Sequence, residues 1–316
     1  MKAFISCILK YDPHHQKLEP GLFGYTTAYY GCVECQGRGT LHCHMMIWLE
    51  GSLNPDQLKQ RALQDPEFQS ILIKFLDDAI SNCIPDEPPI EISVPSSNNH
   101  PCSVRGINLD LPDDTIIYAQ QKDIRNIAMH CQVHKHSATC YKYWQGPSES
   151  KECRFNLDSN NYQPITYIDP ETGEINLRCL DGLVNNFNDT MIQAIRCNMD
   201  IKFILSGSSA KAVLYYITDY ITKSQLKSHI TFAALELAVH KLGEYNSDDD
   251  DLTHHAKCLL QKCAYLMISH QELSAPQVCS YLMDYEDHFT SHQYANLYWP
   301  SFEGFINSEQ PCSECY

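Results

Sequence analysis

Apolar residues along this chain follow two different spacings. Between Thr26 and Gln36 (TTAYYGCVECQ) and between Thr40 and Glu50 (TLHCHMMIWLE), aromatic and β-branched residues crowd into two short runs separated by Gly37-Arg38-Gly39, the pattern of a β-hairpin. Asn54-Pro55 then reads as an N-cap followed by a proline suited to a first helical turn. It opens a helix that Pro66 interrupts and that resumes to about Ser81. Residues 85–101 (PDEPPIEISVPSSNNHP) hold five prolines among Ser and Asn, and are expected to form a mobile loop or linker. From Asp113 to about His130, Ile116, Ile117, Ile124, Ile127 and Ala128 recur at helical spacing. A second hairpin is expected from 162–168 and 174–179, which flank Asp169-Pro170-Glu171-Thr172-Gly173. A short strand over 201–205 then leads through Ser206-Gly207-Ser208-Ser209 into a helix from Ala210 to about Leu226, with further helices near 229–245, 252–269 and 275–285. The acidic run 248–251 reads as a solvated interhelical loop, and no internal repeat is visible.

Length and composition narrow the class. With 316 residues, 43% hydrophobic and 20% charged, the chain can build a sizeable core and is not wholly disordered. Its formal charge of -16 argues against broad adhesion to nucleic acid or anionic membrane, so any nucleic-acid site must be local. The most basic stretch carries Arg196, Lys202, Lys211, Lys223, Lys227 and Lys241 against Asp200, Asp219 and Glu236, and there a phosphate backbone would be tolerated. No apolar run approaches the ~18 residues of a spanning helix, and Ala3 to Leu9 makes a poor signal peptide. Sixteen cysteines without a secretory signal therefore suggest reduced thiols, some on zinc, in the nucleus or cytoplasm and not in a secreted protein. Apolar residues almost from Met1 suggest a fragment of something longer.

Three constellations carry candidate chemistry. His42-Cys43-His44 puts two imidazoles on one face of a strand, a spacing that suits one metal. A three-residue loop at Gly37 to Gly39 would set Glu34 opposite His42, within reach as a third ligand; a two-residue loop would turn Glu34 to the other face, and Gln36, which shares Glu34's face of its strand, is the substitute. Two imidazoles, a carboxylate and open positions suit Mg²⁺ or Mn²⁺ acting as a Lewis acid. On the tyrosine-rich helix, Tyr216, Tyr220 and Lys223 fall at i, i+4 and i+7 beside a stripe of Val213, Leu214, Ile217 and Ile221, while Tyr215 points elsewhere. Finally, Cys131, His134, His136, Cys140 and Cys153 supply mixed ligands for a structural zinc, with Cys131 expected as the fourth member beside Cys140, Cys153 and a histidine. Each constellation has an ordinary alternative: structural strand histidines, an aromatic flank on a core helix, and unliganded thiols. Cys32-Val33-Glu34-Cys35 is weaker, because i and i+3 on a strand face opposite ways.

The two motifs YYGCVECQGRGTLHCHMMIWLEG (29–51) and RCNMDIKFILSGSSAKAVLYYITDYITKSQLK (196–227) resemble the N-terminal helicase-like region of Helitron transposases, especially of the fungal type. HKHSATCYK, ECRF and DHFTSHQYANLYW resemble the same family, so that the likeness covers nearly the whole chain. The resemblance implies a Rep-type HUH endonuclease with an α+β fold, a central antiparallel sheet with flanking helices, and a C-terminal helical extension. It implies an endonuclease domain over 1–230, with an insertion at about 54–105 and a zinc-binding segment at 130–155, then an extension over 231–316. His42 and His44 match the metal-holding histidines, Tyr216 and Tyr220 the paired nucleophiles, and Lys223 the basic residue after them; Glu34 is the third ligand of choice. Implied partners are single-stranded DNA at transposon ends and a helicase domain in the same polypeptide. No G-x-x-x-x-G-K-[ST] phosphate loop occurs here, so this stretch does not itself unwind DNA. The first sheet strands of the endonuclease are expected to be missing, and a catalytically silent transposon-derived DNA-binding or zinc-dependent interaction protein is the rival reading.

Overall fold

The computed structural model describes residues 1–14, 19–35, 40–51, 53–147, 151–204, 211–212, 214–216, 218, 228–243, 252–269, 274–293, 295, 298, 300–302 and 304–305. The chain divides into two compact units, one of Met1–Glu50 with Ile217–Tyr316 and one of Gly51–Tyr216. This division differs from the expected boundary near residue 230, because the hairpin and the late segment share a unit.

In the first unit, β1 (Thr26–Cys35) and β2 (Leu41–Leu49) pair antiparallel, and β5 (His288–Thr290) adds to the other edge of β1, giving the order β2-β1-β5. The strand at 288–290 lies in a region expected to be helical; there, Phe289 and Thr290 supply the aromatic and β-branched character that suits an edge strand. A short π-helical turn, Phe4–Ile8, precedes the hairpin. Its end is fastened to the sheet by Thr26 Oγ1, which donates to the carbonyl of Leu9 at 3.3 Å. Gly21 passes so close to the Leu9 carbonyl that no Cβ would fit without movement. The same unit contains helices α6 (Ser228–Gly243) and α7 (Leu252–Ser269), packed together, and α8 (Ala275–Leu282).

The second unit opens with α1 (Pro55–Gln64) and α2 (Pro66–Ala79). The Asn54 side chain accepts from Gln57 N at 2.8 Å in a capping box, and Asp65 caps α2 by accepting from Phe68 N at 3.0 Å. Pro66 therefore begins a new helix at its first turn, where a missing N–H costs nothing. Leu58, Ala62, Leu72, Leu76 and Ile80 bury one face of this pair with Ile168, which belongs to the two-stranded ribbon of β3 (Tyr167–Ile168) and β4 (Ile175–Asn176).

A second core gathers Ile127 and Ala128 of α4 (Asp113–Cys131), Val184, Phe187 and Ile192 of α5 (Asp189–Ile195). Phe187, wholly buried, exchanges backbone hydrogen bonds with Ser81, and Asn188 Nδ2 reaches the Ala79 carbonyl at 3.0 Å, so the two cores are stitched by main chain. The Pro-rich segment is ordered rather than mobile: α3 (Pro95–Asn98) and a 3-10 turn at Pro101–Ser103 lie on α4, with Val94, Ser96 and Pro101 buried. Residues 201–204 form no strand; Ile201 instead donates its N–H to the Asn186 carbonyl at 3.2 Å and packs with Phe203 on the first core.

Candidate functional site

The hairpin register decides what faces the two histidines. Glu34 pairs with His42 and Cys32 with His44, and directly opposed residues of an antiparallel pair share a face, so His42, His44, Glu34 and Cys32 project together. The opposite face takes Cys43, Met45 and Gly31; a Cβ on Gly31 would press on Met45 Cε at 3.1 Å and Cys43 Sγ at 3.3 Å. On the histidine face, Nε2 of His44 lies 3.3 Å from Oε2 of Glu34, and the His42 and His44 rings meet edge to face at 4.7 Å between centroids. Burial, with Glu34 nearby, pushes the Cys32 thiol up from its ordinary value, and burial followed by Cys32 pushes Cys43 up to about 11.

Two residues on this face escaped sequence reasoning. Cys32 stands two positions before Glu34, so strand periodicity could have placed it opposite the second histidine. His288 pairs with Cys32 from the other edge and extends the row to His44, Cys32 and His288 across three strands. No local signal announces that pairing. His288 Nδ1 is 2.8 Å from Oδ1 of Asp287.

The donor chemistry of this face, two imidazole nitrogens and a carboxylate, fits a divalent ion. Among the described residues, however, the group of three or more potential ligands whose donor atoms all lie within 4.8 Å of one another is a different one: His134, His136, Cys140 and Cys153. The hairpin side chains are neighbours on one face and not a gathered coordination sphere.

The Cys/His group forms where α4 ends. His134 donates its backbone N–H to the Leu183 carbonyl at 2.7 Å, turning the chain away from the helix, and a 3-10 turn at Ala138–Tyr141 brings Cys140 back. His134 Nε2 then lies 3.3 Å from Cys140 Sγ and 3.6 Å from Cys153 Sγ. Cys140 is 2% exposed, and its thiol is lowered to about 6, foremost by the Ser137 backbone N–H, which donates to it at 3.3 Å, against the opposing effect of burial and with further help from His136 and His134. A readily formed thiolate beside two imidazoles can bind a metal such as zinc. Cys131 is not in this group, although the sequence spacing favoured it. It ends α4 before the chain turns, and its sulfur instead lies 3.5 Å from that of Cys102.

The tyrosine motif is described in part. Residues 211–212, 214–216 and 218 are helical, Tyr215 is 77% exposed and Tyr216 51%. Tyr220 and Lys223 lie outside the described residues. The expected basic patch is thinner than its sequence suggests, because Arg196 is buried against Asp123 and Lys202 lies 3.3 Å from Asp200. No helix among the described residues is long and apolar enough to cross a membrane.

No curated protein and no solved structure matches the chain. Residues 1–47, which include the whole of β1 and both hairpin histidines, match the family model described as Helitron helicase-like domain at N-terminus, and this supports a Helitron-related origin.

Proposed function

We propose that this chain is a metal-dependent, single-strand DNA nicking and strand-transfer protein of the Rep/HUH type, serving rolling-circle transposition of a fungal-type Helitron. The observation that carries the reading is the face shared by His42, His44 and Glu34 within the stretch that matches the Helitron helicase-like model. Those three side chains would hold one Mg²⁺ or Mn²⁺, which supplies Lewis-acid polarisation of the scissile phosphate when bound. The phenol of Tyr216 or Tyr220 loses its proton and its oxygen attacks phosphorus in line; the bond from phosphorus to the 3′ oxygen breaks, and the departing 3′ oxygen takes up a proton. A 5′-phosphotyrosine results, and attack by a 3′-hydroxyl reverses the exchange, so no bond energy is lost to water. Two tyrosines let one hold an end while the other cleaves, and Lys223 offsets charge on the phosphate.

The partners on this reading are single-stranded DNA at transposon ends and a helicase module, and the place of action is the nucleus. Incubation of the chain with a single-stranded oligonucleotide and Mn²⁺ should yield a covalent protein–DNA adduct that survives denaturation. His42→Ala with His44→Ala should abolish the adduct, as should Tyr216→Phe with Tyr220→Phe, whereas Tyr215→Phe should keep it. An adduct that persists in the double Phe variant refutes the mechanism. A folded wild-type chain that never forms one favours the catalytically silent DNA-binding reading.

A further inference from the structure

Cys102 and Cys131 come from distant parts of the second unit and are held together by a buried ion pair. Arg196, 7% exposed, donates Nη1 to Oδ2 of Asp123 at 2.7 Å and Nη2 to Oδ1 at 2.9 Å, while its Nε donates to the Pro101 carbonyl at 2.8 Å. Asp123 lies on α4, two turns before Cys131; Pro101 immediately precedes Cys102, and Arg196 immediately precedes Cys197. Arg196 also adopts a left-handed conformation, φ 57°, where it ends α5, so the direction in which Cys197 leaves that helix is fixed. One guanidinium thus positions the backbone next to two thiols and ties both to the helix that carries the third.

The sulfurs of Cys102 and Cys131 lie 3.5 Å apart. Two ligands of a tetrahedral zinc with Zn–S of about 2.3 Å stand about 3.8 Å apart, so this pair needs little adjustment to share an ion. A disulfide would require the same sulfurs to close to about 2.05 Å. Two imidazoles flank the pair, with the His100 and His130 rings 5.6 Å apart. Their hydrogen bonds distinguish them. His130 Nδ1 is 2.7 Å from the Asn126 carbonyl, which can only accept, so Nδ1 carries the hydrogen and Nε2 keeps a lone pair. His100 Nδ1 accepts from the Cys102 N–H at 3.3 Å, which leaves the hydrogen on its Nε2.

We propose that Cys102, Cys131 and Cys197, with Nε2 of His130, form a second metal site, separate from the His134 group, that takes a soft divalent cation of the zinc class. The mutual influence of the thiols agrees with this. Burial first, then Cys102 and Cys197, push Cys131 up to about 12, and burial and Cys102 push Cys197 up as well. A divalent cation among them removes that repulsion and releases the thiol protons on binding. Three thiolates and one such ion sum to a single negative charge, and Arg196, whose charge counteracts the rise at Cys131, lies beside it.

The test is zinc stoichiometry and thiol protection in the full chain, kept in reductant. Zinc-loaded protein should carry two ions per chain. Cys102→Ser with Cys197→Ser should reduce this to one, and Cys140→Ser with Cys153→Ser should separately remove the other. Two ions retained in the Cys102/Cys197 variant overturn the proposal. Because those variants may misfold, the unaltered chain supplies a second readout by alkylation and peptide mapping. Cys102 is exposed, as are Cys7 and Cys279, yet with zinc it should resist alkylation together with Cys131 and Cys197, and all three should become reactive when a chelator is added. Labelling of Cys102 in zinc-loaded protein at the rate of Cys7 overturns the proposal equally.

Discussion

Replacing Asp123 by Ala removes the only carboxylate from the strongest buried polar network described in the second unit. The Asp123 side chain is 2% exposed and that of Arg196 8%. Besides the two guanidinium bonds, Asp123 Oδ1 accepts from Ser96 Oγ at 2.6 Å, and Asn126 Nδ2 donates to the same hydroxyl at 3.1 Å. Asp123, by hydrogen bond and then by charge, holds the Arg196 guanidinium above its already high ordinary value, against burial, so Arg196 stays charged and cannot escape by losing its proton. After the substitution a buried positive charge remains with the Pro101 carbonyl as its other described acceptor, and breaking a buried pair in this way costs about 3–5 kcal/mol. For a unit of this size the cost corresponds to a fall in melting temperature of about 6–20 °C. Thermal unfolding followed by circular dichroism measures it. The companion variant Asp123→Leu with Arg196→Met removes both charges, and should recover most of the loss, because apolar replacement of a whole buried pair is close to neutral. A shift below about 2 °C for Asp123→Ala, on the scale where 1 kcal/mol is worth about 2–4 °C, would refute the reasoning. So would a double variant no more stable than the single one.

Two further outcomes follow from the same unit. Phe187→Ala should destabilise it by about 3–5 kcal/mol in urea unfolding, because Phe187 is wholly buried where the two cores join; a cost under about 1 kcal/mol would mean that the site collapses freely. In metal-free protein, Cys140 is lowered in the folded state relative to its ordinary value of 9.0, so its contribution is fully present above about pH 9 and is lost as pH falls through about 6; the melting temperature should therefore rise across that window, and Cys140→Ala should flatten the rise.

What could be read in the sequence was local. Asn54-Pro55 and Asp65-Pro66 announced two helix starts through their own side chains, and the alternation around His42 and His44 announced a strand, because each signal needs only its neighbours. The hairpin register was readable only as a choice between two loops, and the pairing of Glu34 with His42 is one of them. What could not be read depends on residues far apart. Pro residues at 85–101 looked like a free linker, yet Ser96 and Pro101 bind to Asp123 and Arg196, partners that no window of sequence contains. Arg196 looked like part of a basic surface for the same reason. Cys131 fitted the zinc spacing as a string, but it still belongs to the helix, whereas His134 follows the turn. The α+β mixture agrees with the expectation, and the HUH identity of the sheet remains part of the proposal.

The place of β5 in the sheet has a consequence for the order of events during synthesis. The hairpin of β1 and β2 is complete after the first sixth of the chain, but the strand that covers the other edge of β1 lies roughly 250 residues later. At translation rates of about 5–20 residues per second, that interval lasts about 12–50 s. Throughout it, Tyr30 to Cys32 present unpaired backbone groups at an open edge, a ready template for another strand. The Gly51–Tyr216 unit is made entirely within the same interval, so a ribosome carrying this chain holds one unit free to fold while the other waits for its last strand.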